Sequence, residues 1–316
     1  MRLVTAAKLD DIIDFPVLID ALARAFRGGV VAPQRHHHAI EREGQATATH
    51  LLMPAWTSGG QSPAYLGTKI VNVFPDNSAL GLSAVSGVYL LQSGATGEPL
   101  AAMDGARLTQ WRTAAASALA ARFLARGDAR RLLIVGAGGL APFLARAHAS
   151  VRPIDEIAIW NHRREGAEKL AAALAGGAWR VAVADSLEEA ARNADVITCA
   201  TLSKAPFIAG AWLRPGQHLD LVGAFNLEMR EADDEALRRA RVFIDTDAAL
   251  SEGGEVALAL RAGAIAREHV VADLGALCRG AAAGRRQDDE ITLFKSVGAA
   301  LEDLAAAMLV WERIRA

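Results

Sequence analysis

An α/β fold built on a doubly wound parallel sheet, with a second, discontinuous α+β domain, is what this sequence predicts, on three observations. Short β-rich runs alternate with helical stretches from Leu132 onward. A glycine-rich turn, VGAGGLA, closes the first of those runs and opens a helix. The first hundred residues instead show turn-punctuated alternating segments, the pattern that antiparallel strands leave. The 316 residues suit two domains at ~100–200 residues each.

Near the N-terminus, PVLIDALARAFRGG reads as an amphipathic helix closed by Gly28 and Gly29. ATATHLLMPAW, AYLGTKIVNVF and AVSGVYLLQSGATGEPLAAMDG follow as strand-like segments, and SGATGEP is a hairpin signal in which Gly94 and Gly97 supply backbone freedom. LTQWRTAAASALAARFLAR (108–126) reads as a helix with Arg112 in its first turn, where a cation opposes the helix dipole unless an anion is present.

Beyond it, LLIVGAG (132–138), EIAIWN (156–161), RVAVA (180–184), ADVITCAT (194–201), HLDLVGAF (218–225) and RVFIDT (241–246) read as strands separated by helices, hence as βαβ units of a Rossmann-like core. GRRQDDEIT (284–292) reads as a solvated loop. TLFKSVGAALEDLAAAMLVWERIRA reads as one long amphipathic helix, interrupted by Glu302 and Asp303, that returns the chain to the first domain. The expected division is 1–115 with 293–316 for one domain and 116–292 for the other.

Composition excludes several function classes. With 34 basic and 36 acidic residues and no basic stripe with interleaved aromatics, nucleic acid is not an expected partner. Cys199 and Cys278 have no paired spacing for a disulfide framework or a zinc site, which fits a reducing, cytoplasmic location. Acidic residues occupy the place of a signal peptide's apolar core, and no run reaches the ~18 apolar residues of a membrane span. His36, His37 and His38 point alternately on an extended chain and lack a Cys or acidic partner at ligand spacing, so no metal is expected. Glu252 and Glu255, beside a Gly-Gly turn, read as a loop and a helix start.

VGAGGLA supplies Gly136-x-Gly138-x-x-Ala141. The first glycine permits the tight turn, the second lets backbone approach a pyrophosphate, and the small third residue lets helix and strand pack closely. Gly136, Gly138, Gly139 and Leu140 are therefore candidates for binding a dinucleotide. At the end of the second strand, where an acid would hold ribose hydroxyls, stands Asn161, followed by Arg163 and Arg164; arginines there suit a 2′-phosphate, so NADPH is expected, with NADH the alternative. Thr201 and Gly223 fall at the carboxyl edge of the sheet, where ligands of such folds sit.

MDGARLTQWRTAAASALAARFLAR resembles the signature of the ornithine cyclodeaminase/mu-crystallin family: an Asp-Gly turn, a Thr-x-x-Arg-Thr element and an alanine-rich helix. GTKIVNVFPDN, SGATGEPLAAMDG, GAGGLA, VGAFNLEMRE and DEITLFKSVGAALED extend the resemblance over essentially the whole chain. It implies a homodimer using NAD(P)H on small α-amino or α-imino acids, with the first domain for substrate and dimerisation. Carried over by motif, Lys69 in GTKIVN, Arg112 and Thr113 in TQWRTA and Arg35 in APQRHHH would hold the substrate carboxylate, and Ser296 and Gly298 in FKSVG would neighbour the nicotinamide. Cyclodeaminases of the family carry an acid just before Leu-Met-Pro and an aspartate after the fifth strand; here Leu51 or Leu52 and Phe225 stand there. The resemblance therefore implies a reductase of cyclic imino acids such as pyrroline-2-carboxylate and piperideine-2-carboxylate, with a cyclodeaminase, an alanine dehydrogenase or a crystallin-like NADPH-binding role as alternatives.

Overall fold

The computed structural model describes residues 1–60 and 62–315, without the side chain of Ser78. The chain forms two compact units, Met1–Thr113 with Ala299–Ala316, and Ala114–Gly298.

The first unit opens with β1 (Arg2–Val4), α1 (Ala6–Ile12) and α2 (Phe15–Arg27). Asp14 caps α2 by accepting from the Val17 N–H, and the helix ends at Gly28, where φ is +147°. There follow β2 (Val30–Val31), β3 (His36–Ile40), β4 (Ala48–Thr57), β5 (Tyr65–Val73), β6 (Val85–Ser93) and β7 (Pro99–Asp104). The sheet order is β1-β7-β6-β5-β4-β2, with β3 also on β4; β1 runs parallel to β7 and the remaining pairs are antiparallel. SGATGEP does turn β6 into β7, with Gly97 at φ +74°.

Helix α3 (Gly105–Leu124) begins earlier than the sequence suggests, because the Asp104 carboxylate accepts from the Arg107 N–H at 2.8 Å and acts as an N-cap. Arg112 is consequently the eighth residue of the helix and not in its first turn. Its anion must come from elsewhere than the helix end.

The second unit adds β8 (Arg131–Val135), α4 (Ala141–Ala149), β9 (Glu156–Trp160), α5 (Arg164–Leu174), β10 (Arg180–Val183), α6 (Leu187–Asn193), β11 (Val196–Cys199), β12 (His218–Leu221), α7 (Asp234–Arg239), β13 (Arg241–Ile244), α8 (Gly254–Arg261), β14 (Val270–Asp273), α9 (Leu274–Arg279) and β15 (Thr292–Lys295). All eight strands are parallel, in the order β10-β9-β8-β11-β12-β15-β13-β14. Both faces of this sheet are covered. Leu133, Val135, Ile197 and Leu219 pack into one apolar cluster, while their neighbours Leu132, Ile134 and Val196 pack into another. Continuous apolar runs are what a sheet buried on both sides requires.

Thr292–Lys295 corrects the expected C-terminal helix. TLFK is a fully buried strand between β12 and β13, and α10 (Ala300–Arg315) starts only after Gly298. The second unit therefore runs past the expected boundary at residue 292. A four-residue apolar run has no periodicity that separates a buried strand from the start of a helix. The preceding segment is likewise more than a solvated loop: Arg285 donates to the carbonyls of Leu124 at 2.7 Å and Gln217 at 3.1 Å, fastening the entry to β15. In the first unit, α10 packs on α2 and on β4, β5 and β6.

Candidate functional site

In the first unit, alternation along β5 puts Tyr65, Gly67 and Lys69 on its buried face. A lysine there needs a partner, and α10 provides one: Lys69 Nζ lies 2.8 Å from Asp303 Oδ2 and 3.0 Å from Oδ1. Arg112 reaches the same carboxylate through Nε at 2.9 Å, and Glu302 through Nη1 at 2.7 Å. Glu302 and Asp303 are wholly buried, in the first turn of α10, where the helix dipole favours negative charge. Two cations and two carboxylates thus balance, and Asp303 joins Lys69 to Arg112.

Burial, reinforced by the Arg112 charge, pulls the Lys69 pKa down to about 8, with Asp303 opposing. Arg112 is held above its ordinary value: desolvation works against the charge, but Asp303 and Glu302 outweigh it. The guanidinium carries five N–H donors and spends two on these carboxylates, which leaves three for an incoming anion. Tyr89, paired with Lys69 across β5 and β6, buries a hydroxyl that has no hydrogen-bond partner among the described residues, and burial followed by the Asp303 charge raises its pKa. Gly67 makes room for that ring, since a Cβ there would meet the phenol oxygen.

Of the residues expected to hold a carboxylate, the structure brings Lys69 and Arg112 together. Thr113 is buried beside Arg112 in α3, and Arg35 is half-exposed in the segment between β2 and β3. Sequence reasoning missed Glu302 and Asp303. Their signal was two adjacent acids ahead of the apolar run LAAAMLVW.

In the second unit, the turn between β8 and α4 is shaped to receive an anion. Gly136 has φ +103°, and a Cβ on it would stand 2.7 Å from the Ala200 carbonyl oxygen. Gly138 and Gly139 are exposed and Leu140 half-exposed, nothing lies within 4 Å of a Cβ built on Gly138, and the N–H groups of these three residues have no acceptor among the described residues. Unpaired N–H groups entering a helix N-terminus fit a pyrophosphate. At the end of β9, Asn161 donates from Nδ2 to the Arg163 carbonyl at 2.8 Å. Arg164 is engaged by Glu168, at 2.9 Å, and by Asp185, so it is less available than Arg163.

Thr201 and Gly223 follow β11 and β12 and are joined by Glu231, whose carboxylate accepts from the Thr201 N–H at 2.7 Å, the Thr201 hydroxyl at 2.8 Å and the Gly223 N–H at 2.8 Å. Ser296 is buried and bonds through its N–H to the Leu221 carbonyl at 3.2 Å. Asp245 fixes the turn after it, accepting from the Val297 and Gly298 N–H groups at 2.7 Å each. Glu231 closes the VGAFNLEMRE motif and Asp245 lies in the RVFIDT strand segment, but neither was singled out from the sequence as a site residue. Glu255 begins α8 as expected but is fully buried, 3.1 Å from Lys295. Leu51 and Leu52 lie half-buried in β4 and Phe225 is exposed, so none of these positions carries a carboxylate. Among the described residues, no helix is long and apolar enough to cross a membrane.

Comparison with known proteins places these features. The model of the ornithine cyclodeaminase/mu-crystallin family matches residues 8–316. A Delta(1)-pyrroline-2-carboxylate reductase of Paracoccus denitrificans is 40% identical over 288 residues, 90% of this chain and 90% of that protein. The structure of the Thermococcus litoralis Delta(1)-pyrroline-2-carboxylate reductase, in complex with NADH and L-proline, is similar with a TM-score of 0.93 and 32% identity over 100% of this chain and 98% of that one. An archaeal alanine dehydrogenase dimer with bound NAD gives a TM-score of 0.90 at 32% identity, covering 100% of this chain and 96% of the other.

Proposed function

The chain belongs to the ornithine cyclodeaminase/mu-crystallin family, and from that membership we propose that it is an NAD(P)H-dependent reductase of cyclic α-imino acids. Its substrates are of the delta1-pyrroline-2-carboxylate and piperideine-2-carboxylate class, and its products are L-proline and L-pipecolate. The observation that carries this reading is the buried Lys69–Asp303–Arg112 group, which holds two cations in fixed positions with guanidinium donors to spare. Similarity to reductases that act on this class supports it. The absence of a carboxylate at Leu51, Leu52 and Phe225 speaks against a cyclodeaminase, which has to activate water and handle an amine.

In this reading Arg112 and Lys69 bind the substrate carboxylate, with the fork of Arg112 giving direction and Lys69 a point charge. Holding the carboxylate fixes the imine carbon, and positioning of this kind contributes several kcal/mol, up to roughly 7–11 in ideal cases. When bound, the reduced dinucleotide would supply a hydride to that carbon, and the imine nitrogen takes up one proton, so that the C=N bond becomes the CH–NH of the product and the dinucleotide leaves oxidised. Lys69, ionised at neutral pH, holds its proton at Nζ against Asp303. Gly138, Gly139 and Leu140 bind the pyrophosphate through their N–H groups, and Arg163 faces a 2′-phosphate, which favours NADPH over NADH. The chain works as a homodimer, a reading supported by the dimeric alanine dehydrogenase of similar fold, and light scattering is expected to return twice the mass of one chain; the two buried thiols, Cys199 and Cys278, fit a cytoplasmic setting.

The test is loss of nicotinamide absorbance when NADPH or NADH meets pyrroline-2-carboxylate, piperideine-2-carboxylate, or pyruvate with ammonia, run beside an ammonia assay on ornithine. Oxidation with a cyclic imine and no ammonia from ornithine is the expected result. Ammonia release without net oxidation would replace the reductase reading with the cyclodeaminase one, and turnover of pyruvate with ammonia alone would make the chain an alanine dehydrogenase.

A further inference from the structure

Three charged side chains lie fully buried under the loops that follow β11 and β12, and the reaction above assigns them nothing. Glu231 ties Thr201 to Gly223 through the three bonds already described. Its own N–H donates to Glu255 Oε1 at 2.6 Å, and Glu255 Oε2 lies 3.1 Å from Lys295 Nζ. The Lys295 ammonium also donates to the Leu221 carbonyl, at the end of β12, at 3.2 Å.

The cluster holds two carboxylates and one ammonium, the latter paired with Glu255, so it carries one net negative charge when all three groups are ionised. Keeping an uncompensated charge in a site with no water contact is costly. Burial and the neighbouring Glu255 push the Glu231 pKa up to about 7, against Lys295 and the Thr201 bonds. The groups that face it are Glu255 from α8, Lys295 from β15 and Cys199 from β11; burial and the adjacent acids raise the Cys199 thiol, which stays neutral.

In a doubly wound sheet the ligand crosses the carboxyl ends of the strands where their order reverses, here between β8 and β11. Asn161 and Arg163 put the adenosine half on the β9 side. The loops after β11 and β12 remain for the nicotinamide half, and they are the loops that Glu231 joins.

We propose that Glu231 is a positioning residue for the nicotinamide half: it fixes the two loops under that half and, with Glu255 and Lys295, sets beneath them a charge that favours the oxidised, cationic ring over the reduced, neutral one. The inference rests on the dinucleotide reading above. One proton removes the charge, so the preference for the oxidised form weakens as pH falls.

The test titrates NADP+ and NADPH into the full chain without imino acid, by calorimetry, from about pH 6 to about pH 8.5, across the range in which Glu231 titrates. In the wild type, affinity for NADP+ relative to NADPH rises with pH. E231Q cannot accept from both Thr201 and Gly223 through two carboxylate oxygens, so it binds both forms roughly tenfold more weakly and its ratio is flat with pH. E255Q keeps those bonds and leaves Glu231 to neutralise Lys295, so across the whole range it binds NADP+ only as well, relative to NADPH, as the wild type does at the acid end, and it loses the pH dependence; it serves alone if E231Q does not fold. A wild type that binds neither form overturns the dinucleotide reading and this inference with it. A wild type that binds both forms at a pH-independent ratio, or an E255Q that keeps the wild-type slope, overturns the inference and leaves the dinucleotide reading standing.

Discussion

Lys69 keeps its proton in a place where burial works against it, and Asp303 is the reason. With its pKa pulled down to about 8, the ammonium is present below that value and lost above it. Binding of an anionic substrate needs the ammonium, so kcat/KM is expected to fall as pH rises through about 8. K69R, whose guanidinium stays charged, should lack that alkaline limb even if its rate is lower; a pH profile of both proteins with pyrroline-2-carboxylate checks this. Arg112 serves two purposes that substitutions can separate. R112A takes one buried cation away from two buried carboxylates, leaving Asp303 to Lys69 alone and Glu302 without its guanidinium, and should cost roughly 3–5 kcal/mol of stability by denaturant unfolding. It should also lower kcat/KM by roughly 100-fold or more, ~2.7 kcal/mol of transition-state binding. R112K restores a charge without the fork, so stability should recover more than kcat/KM does; a loss of only a few-fold in both variants would take Arg112 out of the substrate site. The two cations were legible in the sequence through their motifs. Glu302 and Asp303 were not, because acids in the first turn of a helix look the same whether they meet solvent or a buried guanidinium, and only the packing of α10 against β5 tells the two apart.

At the scale of elements, the loop after β9 divides two arginines that the sequence presents as equivalent. Arg164 is held by Glu168 and Asp185, both on the surface, while Arg163 precedes the first turn of α5. R163A is therefore expected to collapse the NADPH-over-NADH preference, and R164A to change it far less; comparing kcat/KM for the two cofactors decides, and equal effects would undo the distinction. In the turn after β8, G136A forces a side chain onto positive φ and against the Ala200 carbonyl, so dinucleotide affinity should drop sharply in a titration while the unfolding free energy falls by roughly 1–3 kcal/mol. The strand–turn–helix context made that loop readable from the sequence, since glycine spacing there answers to backbone geometry alone. TLFK was not readable: four apolar residues buried on both sides have no alternation to display. Helix α3 was misjudged at its start for a related reason, as Asp104 caps it from the end of a strand and belongs to two patterns at once.

For the whole molecule, the order of elements along the chain differs from their order in space. The second sheet has β15 between β12 and β13, so the strand lying in its middle is made after those on both sides. The first unit takes α10, with both of its buried carboxylates, from the stretch after that. A chain ending before Thr292 keeps every residue of the glycine loop yet leaves β12 and β13 without the neighbour that joins them. Such a chain is expected to show no dinucleotide binding by titration and to aggregate through its open edges; tight binding would mean that β8 to β12 fold without β15. During synthesis the nascent chain therefore waits. Neither unit is complete until residues 292–315 have been made, and until then the partial product carries exposed sheet edges that invite association.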